Sequence, residues 1–259
     1  MTSPSSSLHV AELGSGPRLI LVHGDVTSGQ QAWARQRPLA ERWHLVVPDR
    51  PGAGRSASAG RVDFESEPMA LAPLLNGGAH VVGHSYGAVV ALLLAAERPE
   101  SVLSLTVIEP PAYAVATENP AVQDAVTRLK ALWAAPHEDP HRFFAEFAAV
   151  VGERPWPRPP MPPEMAAGVR RLMGERPPWE ASIDLVRLVA AGFPMMVVSG
   201  GHSPAFEAVC DTIAAATGAR REVLTGARHS VQRTGEPFNA LLEDFLWHAQ
   251  RVGRAVPEP

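Results

Sequence analysis

Ser85 lies in the run Gly83-His84-Ser85-Tyr86-Gly87, a G-x-S-x-G pattern placed directly after a predicted strand and directly before a predicted helix. A bend that sharp strains the serine backbone, requires small residues two places to either side, and holds the hydroxyl exposed above a sheet. The positive end of the following helix then faces the position where an oxyanion develops during acyl transfer. The same five residues also fit an ordinary glycine turn, and it is the flanking strand and helix that favour chemistry. A serine hydroxyl is a poor nucleophile until a base takes its proton. Ten histidines compete for that role.

Positioning such groups needs a rigid frame, and the hydrophobic pattern supplies one. Short β-rich apolar runs at residues 8–13, 18–22, 44–47, 79–82, 102–108, 195–199 and 222–224 read as strands, the first as an antiparallel edge. Helical patterns at 31–42, 64–75, 86–97, 205–217 and 237–250 alternate with them. This alternation predicts an α/β fold, a mostly parallel central sheet flanked by helices. It stops between residues 111 and 191, where helix-like stretches at 121–133, 141–151, 164–173 and 179–189 predict an inserted helical cap. The proline-rich stretch 155–163 inside it predicts a loop. The core is accordingly assigned to residues 1–110 and 192–259.

Composition narrows the chemistry. A net charge of −4 argues against a nucleic-acid partner, which would call for clustered Lys and Arg. Cys210 is the single cysteine, so an intrachain disulfide and a cysteine-based metal cluster are excluded. No HExxH, no CxxC and no G-x-G-x-x-G after a strand is present, and a cofactor-free, metal-free enzyme is expected. The first ten residues do not resemble a signal peptide and no apolar run reaches a membrane span, so a cytoplasmic location is expected.

Four separated motifs resemble the α/β-hydrolase family: Leu21-Val22-His23-Gly24, Pro48-Asp49-Arg50-Pro51-Gly52-Ala53-Gly54-Arg55-Ser56, the segment around Ser85, and Gly226-Ala227-Arg228-His229. The resemblance implies that Ser85 is the nucleophile and that His229, in a short loop before the closing helix, is its general base. It also implies an oxyanion hole built from the backbone N–H groups of Asp25 and Tyr86. The Asp25 carboxylate would repel that anion, and is expected to turn toward its own loop. His84 is expected to pack beneath the loop, and the Asp49 to Ser56 loop to brace the site. Many relatives carry an acid after the strand at 195–199, but here that loop reads Gly200-Gly201-His202-Ser203-Pro204 and holds no carboxylate. Glu207 and Asp211 follow on a helix, badly placed for His229. Glu109, at the end of the preceding strand, is therefore assigned as the acid, an arrangement similar to that of haloalkane dehalogenases and zearalenone lactonases. The alternative is a Ser–His dyad.

A serine in this position argues against dehalogenase and epoxide-hydrolase chemistry, which need a carboxylate nucleophile. The expected reaction is hydrolysis of a small hydrophobic carboxylic ester or lactone, with Tyr113, Trp133, Trp156 and Trp179 as candidate pocket residues. Carbon–carbon bond hydrolysis, thioester hydrolysis or perhydrolysis on the same residues stands as an alternative, as does a ligand-binding receptor of low turnover. The oligomeric state is not legible.

Overall fold

The computed structural model describes residues 8–57, 63–153 and 160–254. Trp156 and most of the proline-rich stretch lie outside the described residues. The apolar runs form strands β1 (Val10–Leu13), β2 (Arg18–Val22), β3 (His44–Pro48), β4 (Ala79–His84), β5 (Val102–Ile108), β6 (Met195–Ser199) and β7 (Arg220–Val223). They make one sheet in the order β1-β3-β2-β4-β5-β6-β7. β1 pairs antiparallel with β3, and every other pairing is parallel. The expected α/β class is the observed one.

Helices α1 (Gly29–Ala32), α2 (Glu67–Leu71), α3 (Tyr86–Glu97), α4 (Pro120–Ala134), α5 (Pro140–Val151), α6 (Pro163–Gly174), α7 (Leu185–Ala191), α8 (Pro204–Thr217) and α9 (Glu236–Arg254) connect or cover the strands. Alternation along β2 divides its side chains between the two faces of the sheet. Leu19 and Leu21 pack with Phe238, Leu242, Phe245 and Leu246 of α9. Ile20 and Val22 pack with α3 and with Phe206 and Val209 of α8. Each such side chain contributes roughly 1.5–3 kcal/mol when fully buried. β4, central in the order, is buried at every residue, as a parallel strand covered on both faces must be.

Three expected helices are shorter than their patterns, each for a proline-related or packing reason. Pro38 sits inside the stretch expected at 31–42, which splits into α1 and a 3-10 segment at Ala34–Glu41. The stretch at 64–75 is helical from Glu67 and tightens to a 3-10 turn at Ala72–Leu75, which contains Pro73. The stretch at 179–189 begins as a separate turn, Pro178–Glu180, before α7. The last strand lies two residues earlier than expected at its start.

Helices α4 to α7 occupy the segment between β5 and β6. Prolines help to start α4, α5 and α6, because the N–H at the first helical position has no intrahelical partner to lose. Asn119 caps α4 ahead of Pro120, and Asp139 caps α5 ahead of Pro140. Leu132, Phe143, Phe144, Ala148, Val169 and Leu172 form a separate small core shared by α4, α5 and α6. Leu188 of α7 joins the main core on the α3 face instead. No helix among the described residues is long and apolar enough to cross a membrane.

The connection from β2 runs to β3 on one side, and that from β4 runs to β5 on the other. A crevice opens at the strand ends where the direction reverses, between β2 and β4, and ligands in open α/β sheets bind in that crevice.

Candidate active site

The loops at the carboxyl ends of β2, β4, β5 and β7 converge on this crevice, and each holds a strained residue. Among the described residues the non-glycine positions with positive φ are Val26 (71°), Ser85 (54°), Glu109 (48°) and Arg228 (60°). Such conformations cost on the order of 1–3 kcal/mol each and persist only where the surroundings over-determine them. All four lie in, or next to, the residues singled out for chemistry.

Ser85 stands at the bend between β4 and α3, with φ 54° and ψ −128°. A Cβ on Gly83 would come within 2.5 Å of the Gly87 carbonyl oxygen, and one on Gly87 would overlap the carbonyls of Val22 and His23. The two glycines are therefore required by the crossing of the bend over β2, as well as by the bend itself. The Ser85 N–H is held by the Ile108 carbonyl at 2.9 Å.

The Ser85 Oγ donates to Nε2 of His229 at 3.0 Å, although the two residues are 144 positions apart. On the other side of the ring, Nδ1 faces Oε2 of Glu109 at 3.3 Å. All three side chains are buried. The Glu109 backbone N–H donates to Val198 of β6, and its Oε1 accepts the Gly200 N–H at 2.6 Å. The loop after β6, which carries no acid, thus supplies a donor that aims the acid from the neighbouring strand. His202 of the same loop approaches Oε1 of Glu109 at 3.7 Å. Glu207 instead accepts from Ser199 and Gly201 and pairs with Arg221, away from His229. Asp211 pairs with Arg221 as well.

His229 is fixed by its own backbone as much as by its ring. Nε2 of His84 donates to the His229 carbonyl at 3.0 Å. Burial, then the neighbouring His229, lowers the His84 pKa well below the ordinary histidine value, so it donates as a neutral ring. The residues flanking His229 reach the end of α5: Arg228 donates to the Gly152 carbonyl at 3.0 Å, and Ser230 hydrogen-bonds Glu153.

The β2 loop passes directly against Ser85, since a Cβ on Gly24 would lie 2.9 Å from the Ser85 Cβ. His23 locks this loop, with Nδ1 donating to the Gly24 carbonyl at 2.6 Å and Nε2 accepting the Arg50 N–H at 2.9 Å. That pattern requires a neutral ring, and burial, with Arg50 beside it, pushes the His23 pKa down. Tyr86 opens α3, where a helix has no internal acceptor for its N–H. The Asp25 carboxylate turns to Arg50, at 2.9 Å from Nη1. Arg50 is fully buried, grips both oxygens of Glu67 at 2.7 and 2.9 Å, and stacks 4.3 Å over the Tyr86 ring. This ties the loops after β2 and β3 to α2 and α3.

Sequence patterning missed one member of that cluster. Glu175, just after α6, is buried and hydrogen-bonded to Asp25, and burial with the Asp25 charge raises its pKa well above the ordinary carboxylate value. Arg50 and Arg171, which oppose the shift, do not cancel it. No periodicity marks a lone glutamate after a helix, and only its pairing with Asp25 reveals it. The raised pKa stabilises the fold below the ordinary carboxylate range, and that contribution is lost as pH rises through the raised value. Glu175→Gln should abolish this part of the pH dependence. Thermal melts from about pH 5 to about pH 9 should show the wild type losing stability relative to the variant, and a constant difference would refute it.

Two cavities meet at Ser85. An outer cleft of about 720 Å³ is bordered by His229, Arg228, Arg233, Thr27, Phe144 and Met165. An inner cavity of about 20 Å³ is bordered by Tyr113, Trp133 and Trp179, three of the expected pocket residues. Trp133 meets Trp179 edge to face at 5.4 Å.

Comparison with known proteins adds to this geometry. A family model described as the alpha/beta hydrolase family matches residues 19–241. The chain is 38% identical over 130 residues to lipase LipV of Mycobacterium tuberculosis, covering 48% of each chain. It is 34% identical over 123 residues to a pimeloyl-acyl-carrier-protein methyl ester esterase of Aeromonas hydrophila, covering 46% of this chain and 48% of the relative. The chain spans about half the length of these curated relatives. A solved alpha/beta hydrolase from Sphaerobacter thermophilus superimposes with a TM-score of 0.68 at 27% identity, over 92% of this chain and 96% of that one.

Proposed function

The chain belongs to the alpha/beta hydrolase family, and from that premise we propose that it is a serine hydrolase acting on a small hydrophobic carboxylic ester or lactone. The observation that carries the reading is the 3.0 Å contact between the Ser85 Oγ and His229 Nε2, with Glu109 behind the same ring. In the proposed mechanism His229 takes the Ser85 proton as the oxygen attacks the carbonyl carbon. The oxyanion is met by the N–H groups of Asp25 and Tyr86, and loss of one such donor costs about 3 kcal/mol in comparable sites. Imidazolium formed at His229 is stabilised by Glu109, then protonates the leaving alkoxide. Water, activated by the same ring, hydrolyses the acyl-enzyme and restores Ser85.

The Asp25 carboxylate does not oppose the oxyanion, because Arg50 holds it turned aside and carries compensating charge. We read the insertion at residues 111–191 as the cap over this site, its aromatic side chains supplying the apolar wall. Two of the curated relatives are a lipase and a methyl ester esterase, which supports ester hydrolysis.

Covalent labelling tests the reading. A fluorophosphonate carrying a small alkyl group should modify the native protein once, on the peptide containing Ser85, and block hydrolysis of p-nitrophenyl acetate. Failure to label a folded protein, together with no turnover of any ester or lactone, would favour the non-hydrolytic receptor.

A further inference from the structure

The two cavities at Ser85 differ in size and also in which catalytic group faces them. His229, together with Arg228 and Ser230, borders the outer cleft. The inner cavity is bordered by Ser85 and Asp25 but not by His229. A tetrahedral intermediate on Ser85 carries the serine oxygen, the oxyanion, the leaving alkoxide and the acyl substituent. The leaving oxygen must face the imidazolium that protonates it, so the alcohol portion departs through the outer cleft. The oxyanion faces the Asp25 and Tyr86 N–H groups. The acyl substituent is left with the inner cavity.

That cavity is small. Its volume of about 20 Å³ is a small fraction of the roughly 720 Å³ of the outer cleft, so it admits a short group and not an extended chain. Its walls are large and braced. Trp133 contacts Trp179 at 5.4 Å and Phe147 at 6.0 Å between ring centroids, and Tyr113 contacts Phe206 at 5.9 Å. The two carboxyl groups on its border, Asp25 and Glu175, are tied to each other and to Arg50. Ring positions therefore set its width.

We propose that the inner cavity is an acyl subsite sized for acetyl, and that the substrates are acetate esters of bulky alcohols lodged in the outer cleft. The proposal rests on the serine-hydrolase reading and names its substrate class. Hydrolysis releases acetate and the alcohol: the ester C–O bond breaks, the alkoxide takes the proton from His229, and water supplies the oxygen that completes acetate.

The test is a chain-length series run on protein whose Ser85 labels with the fluorophosphonate. For p-nitrophenyl acetate, butyrate and octanoate, kcat/KM should fall by about 100-fold or more from the first to the last. With acetyl held constant, enlarging the alcohol from ethyl to naphthyl should not lower it. Trp179→Ala should move the optimum toward butyrate, and Leu129→Ala, a smaller change at another residue bordering the inner cavity, should do so if the first variant fails to fold. Octanoate matching or exceeding acetate on labelled wild-type protein overturns the acyl subsite and leaves the hydrolase reading intact. Absence of both labelling and turnover overturns the hydrolase reading, and the subsite with it.

Discussion

Ser85→Ala is expected to lower kcat for p-nitrophenyl acetate by about a million-fold, the scale seen when a nucleophile is removed from a serine–histidine–acid site. The reason is local. The hydroxyl lies 3.0 Å from His229 Nε2, and on the proposed reaction path no acyl-enzyme forms without it. Folding should survive, because the substitution removes one oxygen from a bend whose shape is set by Gly83 and Gly87. The substrate should still bind, since the cavities keep their walls. Stopped-flow traces should lose any burst of nitrophenol, and an inhibitor bound non-covalently should retain its affinity. Residual activity within tenfold of wild type would place the nucleophile elsewhere.

Glu109→Gln is expected to reduce kcat by about 10⁴-fold with KM little changed, as in sites where a buried triad carboxylate becomes an amide. The size follows from hydrogen-bond direction. Oε1 accepts the Gly200 N–H at 2.6 Å, so the glutamine oxygen will be held there and its NH₂ will face His229. Nδ1 must then accept, which places the ring proton on Nε2. A protonated Nε2 cannot take the Ser85 proton. Glu109→Asp should fall between the two, because a carboxylate keeps the direction but shortens the reach. Near-normal turnover by the glutamine variant would remove Glu109 from the mechanism and leave a Ser85–His229 dyad.

These expectations divide according to how far apart the interacting residues are in the chain. The bend at Ser85 was readable because its requirements are local: two glycines, a preceding strand and a following helix, all within a few positions. Strand and helix identities were readable for the same reason, since a period of two or 3.6 residues is a short-range property. Where prolines intervened, as at Pro38, the periodic signal overran the true helix, because the lost N–H breaks a structure that apolar spacing alone would continue. His229 and Glu109 were reached through a resemblance in motif order, and their distances came only with the folded sheet.

What the sequence by itself determined is the frame, the bend that carries Ser85, and the absence of an acid in the loop after β6. What only the tertiary structure decided is how the gaps are filled. Gly200 aims the acid of the adjacent strand, His84 holds the His229 backbone, and Arg50 with Glu175 governs the Asp25 carboxylate. These partners lie on three different loops and at the end of β4. Their pairing depends on parallel strands bringing distant loop ends to one edge of the sheet, and no period along the chain records which residues meet there.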